Sequence, residues 1–194
     1  MLSPAIKQRL LPDLAILVFV IAKIPYLHYA FYWDESWVYA PAVYLMYAHG
    51  PSLMPDAIPE EFSRGHPLLF PMACATWMKV FGKSHVSMHS FALLISVTLA
   101  ITVYEILLKI FSQRVALLGL AMLLFNVFFF VNSGAVLTDI TIALLAFLSL
   151  YCYLKQRHVL TSVFLSMLFF TKESGLVACA VLFLDIENFL NLIE

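Results

Sequence analysis

The chain alternates long apolar runs with short polar breaks. Leu14–Tyr32 is the first run, close to the ~20 apolar residues that cross the hydrocarbon of a bilayer. Lys23 lies inside it and Pro25 predicts a kink. Lys23 is expected to snorkel or to face the bundle in an ion pair. Ser36–His49 mixes aromatic and polar positions, which predicts a short helix lying in the interface. Gly50-Pro51 ends it. The stretch Pro51–Gly65 holds three prolines with Asp56, Glu60, Glu61 and Arg64 and reads as an exposed loop. Pro67–Phe81 is apolar but, at ~15 residues, short for a crossing. Val86–Ile110, Val115–Val131 and Ile140–Leu154 predict further spans, separated by polar turns. Val159–Phe170 and Leu176–Leu184 form a final apolar pair, broken at Thr171–Gly175. Asp185 and Glu187 follow.

Charge decides the topology. If Pro67–Phe81 crosses, Arg114 falls outside and Asp139 inside. If it lies in the outer interface, Lys7, Arg9, Arg114, Lys155 and Arg157 are all cytoplasmic, and Asp34, Glu35 and Asp139 share the outer face. The positive-inside rule favours the second arrangement. The expected layout is four spans, two juxtamembrane helices in an outer loop over 33–85, and a broken hairpin. Backbone broken at membrane depth must be buried in protein or line a cavity, so Lys172 and Glu173 are expected to face a polar cleft. Lys7 and Arg9 ahead of Leu14–Ala22 look like a signal peptide, but no small-residue cleavage site follows, which predicts an uncleaved anchor.

Composition agrees with a membrane setting. Of 194 residues, 63% are hydrophobic and only 12% charged, and mean hydropathy is +0.93. Soluble domains are nearer half apolar and a quarter charged. The expected fold class is all-α, a polytopic transmembrane helix bundle forming a single module over 1–194. A net charge of −1 offers nothing to nucleic acid. Cys74, Cys152 and Cys179 lack metal-type spacing and read as free thiols.

The chemistry centres on Phe31–Trp37, where Asp34 and Glu35 sit in an aromatic collar of the kind that marks a membrane–water interface. Acids held at that depth are functional candidates. The outer-face inventory is Asp34, Glu35, Arg64, His66, Asp139 and Lys172. An acid there suits a general base for an acceptor hydroxyl or amine, and the cations suit a leaving phosphate. A donor with a lipid tail and a charged head would lie across this boundary.

Several motifs occur in order: Asp34-Glu35 after the first span, Gly50 after an aromatic helix, Gly65-His66-Pro67-Leu68, Phe81-Gly82, Thr138-Asp139 and Thr171-Lys172. The set resembles the amino-terminal module of the GT-C membrane glycosyltransferases. The nearest branches are the protein O-mannosyltransferases and the bacterial lipid A aminoarabinose and galacturonic acid transferases. The resemblance implies an inverting enzyme of the cytoplasmic (inner) membrane of bacteria, working on the outer face. Its donor would be a polyprenyl- or dolichyl-phosphate sugar and its acceptor a lipid, a glycan or a protein, with membrane lipids around it. It makes Asp34 the base, Glu35 its neighbour and Asp139 a second acid positioning substrate or metal. It places His66 near the donor phosphate and matches Lys172 to the lysine of the late Thr-Lys motif; Lys172, together with Arg64, is expected to help hold that phosphate. The family's double proline is Pro67-Leu68 here, and an arginine usual after Phe-Gly is replaced, with His89 as its stand-in at the phosphate. No cofactor is demanded by any motif, a divalent metal is compatible, and the metal ligands are unknown. Relatives usually continue through further spans, so the resemblance implies a shortened chain, with a partner chain supplying missing spans as one outcome.

Blander roles compete. Asp34, Glu35 and Ser36 suit a helix N-terminus, as does Asp139. His66 before Pro67 fits a loop, and Arg64 a headgroup contact. Lys172 and Glu173 fit an ion pair inside the bundle. The i, i+4 spacing of His85 and His89 is a weak metal signal. At the level of the whole chain, the alternatives are a non-catalytic membrane subunit or pseudoenzyme, and a transporter using Lys23, Asp139 and Lys172-Glu173. No inverted repeat supports the transporter.

Overall fold

The computed structural model describes residues 4–178, 180 and 181; Cys179, Asp185 and Glu187 lie outside the described residues. Every regular element among them is helical. Helix α1 spans Pro4–Lys23. It then tightens into a 3-10 turn, Ile24–His28, with Pro25 in its first positions. The expected run to Tyr32 therefore stops early. Proline lacks the N–H that an α-helix would use and crowds the carbonyl four residues back. From Gln8 to His28 the helical stretch is 21 residues, apolar enough to cross a membrane.

A π-helical turn, Glu35–Tyr39, leads into α2, Ala40–His49. The short α3, Glu60–Ser63, precedes α4, Leu69–Phe81. Helix α5, His85–Ile110, is the second element long enough to span, at 26 residues. It packs against α1, α4 and three later helices: α6, Gln113–Leu124; α8, Asp139–Leu154; and, through their shared core, α7, Val127–Asn132. Helix α9, His158–Thr171, turns back on α8. Helices α8 and α9 have 16 and 14 residues. At ~1.5 Å per residue, both are shorter than a hydrocarbon core of ~30 Å. Of the four expected spans, the described helices thus supply two of full length.

The run Val115–Val131, expected as one span, is broken in two. Phe125 closes α6 by bonding to Ala121, and the Asn126 side chain accepts the Phe129 N–H at 3.0 Å. An asparagine offering its own acceptor to orphan amides starts a new helix. Asn126→Ala is expected to lower stability by about 1 kcal/mol, measured by thermal unfolding in detergent. An unchanged melting temperature would mean that the flanking turns alone set the break.

Helices α1 and α5 run antiparallel. Arg9 pairs with Glu105 at 2.6 Å at one end, and His89 bonds the Leu27 carbonyl at 3.0 Å at the other. The turn carrying Arg114 lies at the Arg9 end, since it follows α5. The Asp34 turn and the start of α8 lie at the opposite end, joined through Val136. Two core clusters run along the bundle beside α1 and α5. A third, with Val43, Met46, Cys74 and Met78 at its centre, joins α2 to α4 at the Asp34 end. Outward positions such as Leu14, Val18, Leu118 and Phe125 stay exposed, the surface an apolar solvent would cover.

Candidate active site

The Asp34 turn is tightly specified. Trp33 adopts φ +50°, a left-handed conformation uncommon for non-glycine residues. Four bonds surround it. Glu35 N–H and Ser36 N–H donate to the carbonyls of Tyr32 and Trp33 at 3.1 and 3.0 Å. Ser36 Oγ donates to the Phe31 carbonyl at 2.7 Å, and Tyr32 N–H donates to Glu35 Oε2 at 3.1 Å. Asp34 stands at the head of the π-helical turn, yet its side chain makes no capping bond. Half-buried, it has no hydrogen bond or ion pair with any described residue. The fixed backbone therefore presents an uncommitted carboxylate. Single π turns recur at functional sites.

Glu35 behaves oppositely. It is 7% exposed. Its Oε1 accepts the Val136 N–H at 2.6 Å and lies 3.3 Å from His89 Nε2. His89 Nδ1 faces the Leu27 carbonyl at 3.0 Å. A carbonyl only accepts, so Nδ1 carries hydrogen, and the contact on the other side of the ring needs one proton between Nε2 and Oε1. Burial pushes the Glu35 carboxyl up. The bonds from His89, Val136 and Tyr32 outweigh it and hold the group below its ordinary value. Glu35 so joins the Asp34 turn, α5, the end of the first span and the 133–138 loop. His89, expected at the donor phosphate, is 4% exposed and backs Glu35.

The 133–138 loop is fastened elsewhere too. Lys23, 2% exposed, donates to the Phe130 carbonyl at 2.7 Å and lies 4.7 Å from the Tyr26 and Phe130 ring centres. It neither snorkels nor pairs with an acid among the described residues. Ser133 Oγ donates to the same carbonyl at 2.8 Å, and Ser96 Oγ donates to the Ser133 carbonyl at 2.8 Å. The loop delivers Thr138, whose hydroxyl meets Tyr39 Oη at 3.3 Å.

A narrow cleft lies beside that contact, lined by Tyr39, Ser63, His66, Thr138 and Thr171 among apolar neighbours. Arg64 and Gly65 take φ +49° and +76°, and this turn presents His66. Across the cleft, His66 Nδ1 reaches Glu173 Oε2 at 2.8 Å. Glu173, expected to pair with Lys172, instead contacts His66, because the backbone turn at the end of α9 sends the carboxylate toward the outer loop. Glu173 is held below its ordinary value by its own backbone N–H, then by His66 and Lys172. The half-buried Lys172 ammonium makes no hydrogen bond or ion pair with a described residue, and Arg64 is exposed. The pair is open to solvent on the Glu173 side. Glu173→Gln is expected to change unfolding stability by less than about 1 kcal/mol; a larger loss in a thermal melt would show the pair to be structural.

Asp139 is exposed at the first position of α8 and does not cap it; Thr138 holds that place without a side-chain bond. Asp139 lines a different groove, with Asn126, Asn132 and Gly119. The structure therefore brings His66, Thr138 and the Glu173 turn together at the Asp34 end, and turns Asp139 toward α6 and α7. Tyr39 and Thr171 escaped sequence reasoning as site residues. Tyr39 was findable, since it lies four positions after Glu35 and so shares its helix face. Among the described residues, no group of three or more His, Cys, Asp or Glu is placed to hold a metal ion.

Two apolar helices of membrane-spanning length carry, at one end, a free acid and a cleft lined by His66, and the family match makes this a membrane glycosyltransferase module of the GT-C type. Residues 65–184, more than half of the chain, match the family described as dolichyl-phosphate-mannose-protein mannosyltransferase. The chain belongs to that family. The matched range takes in His66, His89, Asp139 and Lys172 and begins after Asp34 and Glu35. Neither the curated proteins nor the solved structures contain a match.

Proposed function

We propose that the protein transfers a sugar from a polyprenyl- or dolichyl-phosphate donor to a lipid, glycan or protein acceptor, with Asp34 as general base. The observation that carries this reading is the contrast within the acid pair. Glu35 is buried and fully engaged, while Asp34 is left uncommitted on a backbone turn held by four bonds. Asp34 takes the proton of the acceptor hydroxyl. The freed oxygen pair bonds the anomeric carbon, and the bond from that carbon to the phosphate oxygen breaks with inversion. The lipid phosphate leaves with the electron pair. His66, Lys172 and Arg64 are the cations available to balance it, and neither Lys172 nor Arg64 pairs with a carboxylate among the described residues. Glu35 and His89 hold the base rather than react.

In this reading the Arg9 and Arg114 end faces the cytoplasm, as the positive-inside rule favours. The Asp34 end faces outward, and α2 and α4 lie along that face. A bacterial inner membrane fits this arrangement.

The test compares donors. Purified protein in nanodiscs, supplied with membrane extract as acceptor, is incubated with labelled polyprenyl-phosphate mannose or with GDP-mannose. Transfer from the lipid-linked sugar alone supports the reading. Transfer from the nucleotide sugar alone overturns it.

A further inference from the structure

A cationic ridge stands apart from the cleft, at the junction of α2, α4 and α5. Lys79 lies in the last turn of α4, and Lys83 just past Gly82. Both are exposed. Lys79 Nζ sits 4.4 Å from the centre of the Tyr47 ring; Lys83 Nζ sits 5.2 Å from Tyr44 and 6.0 Å from Tyr47. No carboxylate among the described residues pairs with either lysine.

Two ordinary explanations fall short. Lys79 complements the C-terminal end of the α4 dipole, but Lys83 is beyond the helix. The lysines are also not needed to join α2 to α4, because Val43, Met46, Cys74 and Met78 already do so in the core. A tyrosine face orients an ammonium without consuming its N–H donors. Both cations therefore keep their hydrogen-bonding capacity for an anion.

Their surroundings say where that anion comes from. Trp77 packs on Phe81 with ring centres 4.0 Å apart and planes tilted by 32°, and anchors its indole N–H on Ser90 at 3.1 Å. Val80 and Phe81 are 73% and 59% exposed. Exposed apolar residues beside a fixed indole and two lysines make a surface for the headgroup layer of a bilayer.

We infer that Lys79 and Lys83, set on Tyr44 and Tyr47, bind the phosphate headgroup of an anionic membrane lipid at the Asp34 end of the bundle. The lipid's phosphate bridges the ammonium groups, and its chains lie along Val80 and Phe81. The inference does not rest on the transferase reading.

Brominated-lipid quenching tests it. The chain has three tryptophans; Trp33→Phe with Trp37→Phe leaves Trp77 as the reporter. The protein is placed in phosphatidylcholine nanodiscs carrying a minor fraction of either brominated phosphatidylglycerol or brominated phosphatidylcholine. Stronger quenching by phosphatidylglycerol is expected, with its local enrichment falling about fivefold for each lysine replaced. Lys79→Gln with Lys83→Gln should erase the preference, and Lys79→Arg with Lys83→Arg should keep it. The preference should also weaken in the parent protein as salt is raised. Equal quenching by the two lipids, an enrichment that survives the double Gln change, or indifference to salt would each overturn the proposal. Loss of the preference when inorganic phosphate replaces chloride at constant ionic strength would overturn the lipid as the source, assigning the ridge to the free ion.

Discussion

Asp34→Asn is expected to lower sugar transfer by roughly a hundred- to ten-thousand-fold, the range supplied by a positioned general base. The same change should leave stability within about 0.5 kcal/mol. Both expectations come from one property: the Asp34 side chain makes no hydrogen bond or ion pair with the described residues. Replacing one of its oxygens with an amide nitrogen breaks no hydrogen bond or ion pair with a described residue, and the turn around Trp33 is held by bonds that do not involve this side chain. The measurement pairs a transfer assay with a thermal melt in detergent. Unchanged transfer removes Asp34 as the base. A large fall in melting temperature would instead place Asp34 among the structural acids.

Glu35→Ala should do the reverse, costing stability first. Breaking a buried, hydrogen-bonded pair by deleting one partner costs about 3–5 kcal/mol. Here the deletion strands the buried N–H of Val136 and leaves His89 without its carboxylate. It also frees Tyr32 N–H, which helps hold Trp33 in its left-handed conformation. Glu35→Gln keeps the shape and loses the charge, so it should be milder. The pH dependence has a definite sign. The Glu35 carboxyl is held below its reference value of 4.5 in the folded protein. Its stabilising contribution is therefore complete above that value and is lost as pH falls below it toward the folded pKa. Glu35→Ala should flatten that acidic part of the stability profile. A melt whose acid sensitivity is unchanged by Glu35→Ala would show that other carboxylates govern it.

Much of this layout is legible in the sequence. Helices α5, α8 and α9 begin and end within a few residues of the polar breaks that bracket them, because long apolar runs leave a helix few alternatives in an apolar solvent. Pro25 announced a kink and produced a 3-10 turn. The Asn126 break was less visible: one polar residue in an apolar run rarely ends a helix, and here it does so by supplying a cap. Within the acid pair, the sequence gives no way to tell the buried member from the free one. That depends on His89 and Val136, 54 and 101 residues along the chain from Glu35. The His66–Glu173 contact was equally hidden, since it spans 107 residues. Pairings across such distances depend on how helices dock, and hydrophobic period carries no record of them.

The shortness of α6 bears on the membrane itself. Its 12 residues rise only ~18 Å, whereas the 26 residues of α5 rise ~39 Å. In the topology proposed above, lipid beside α6 meets a hydrophobic wall shorter than a ~30 Å hydrocarbon core, and lipid beside α5 meets a longer one. Each ångström of mismatch costs a fraction of a kcal/mol. The bilayer should therefore dip on the α6 and α7 flank, drawing headgroups down toward Asn126, Asn132 and Asp139. Activity should then follow acyl-chain length, and short-chain lipids should suit this protein better than long-chain ones.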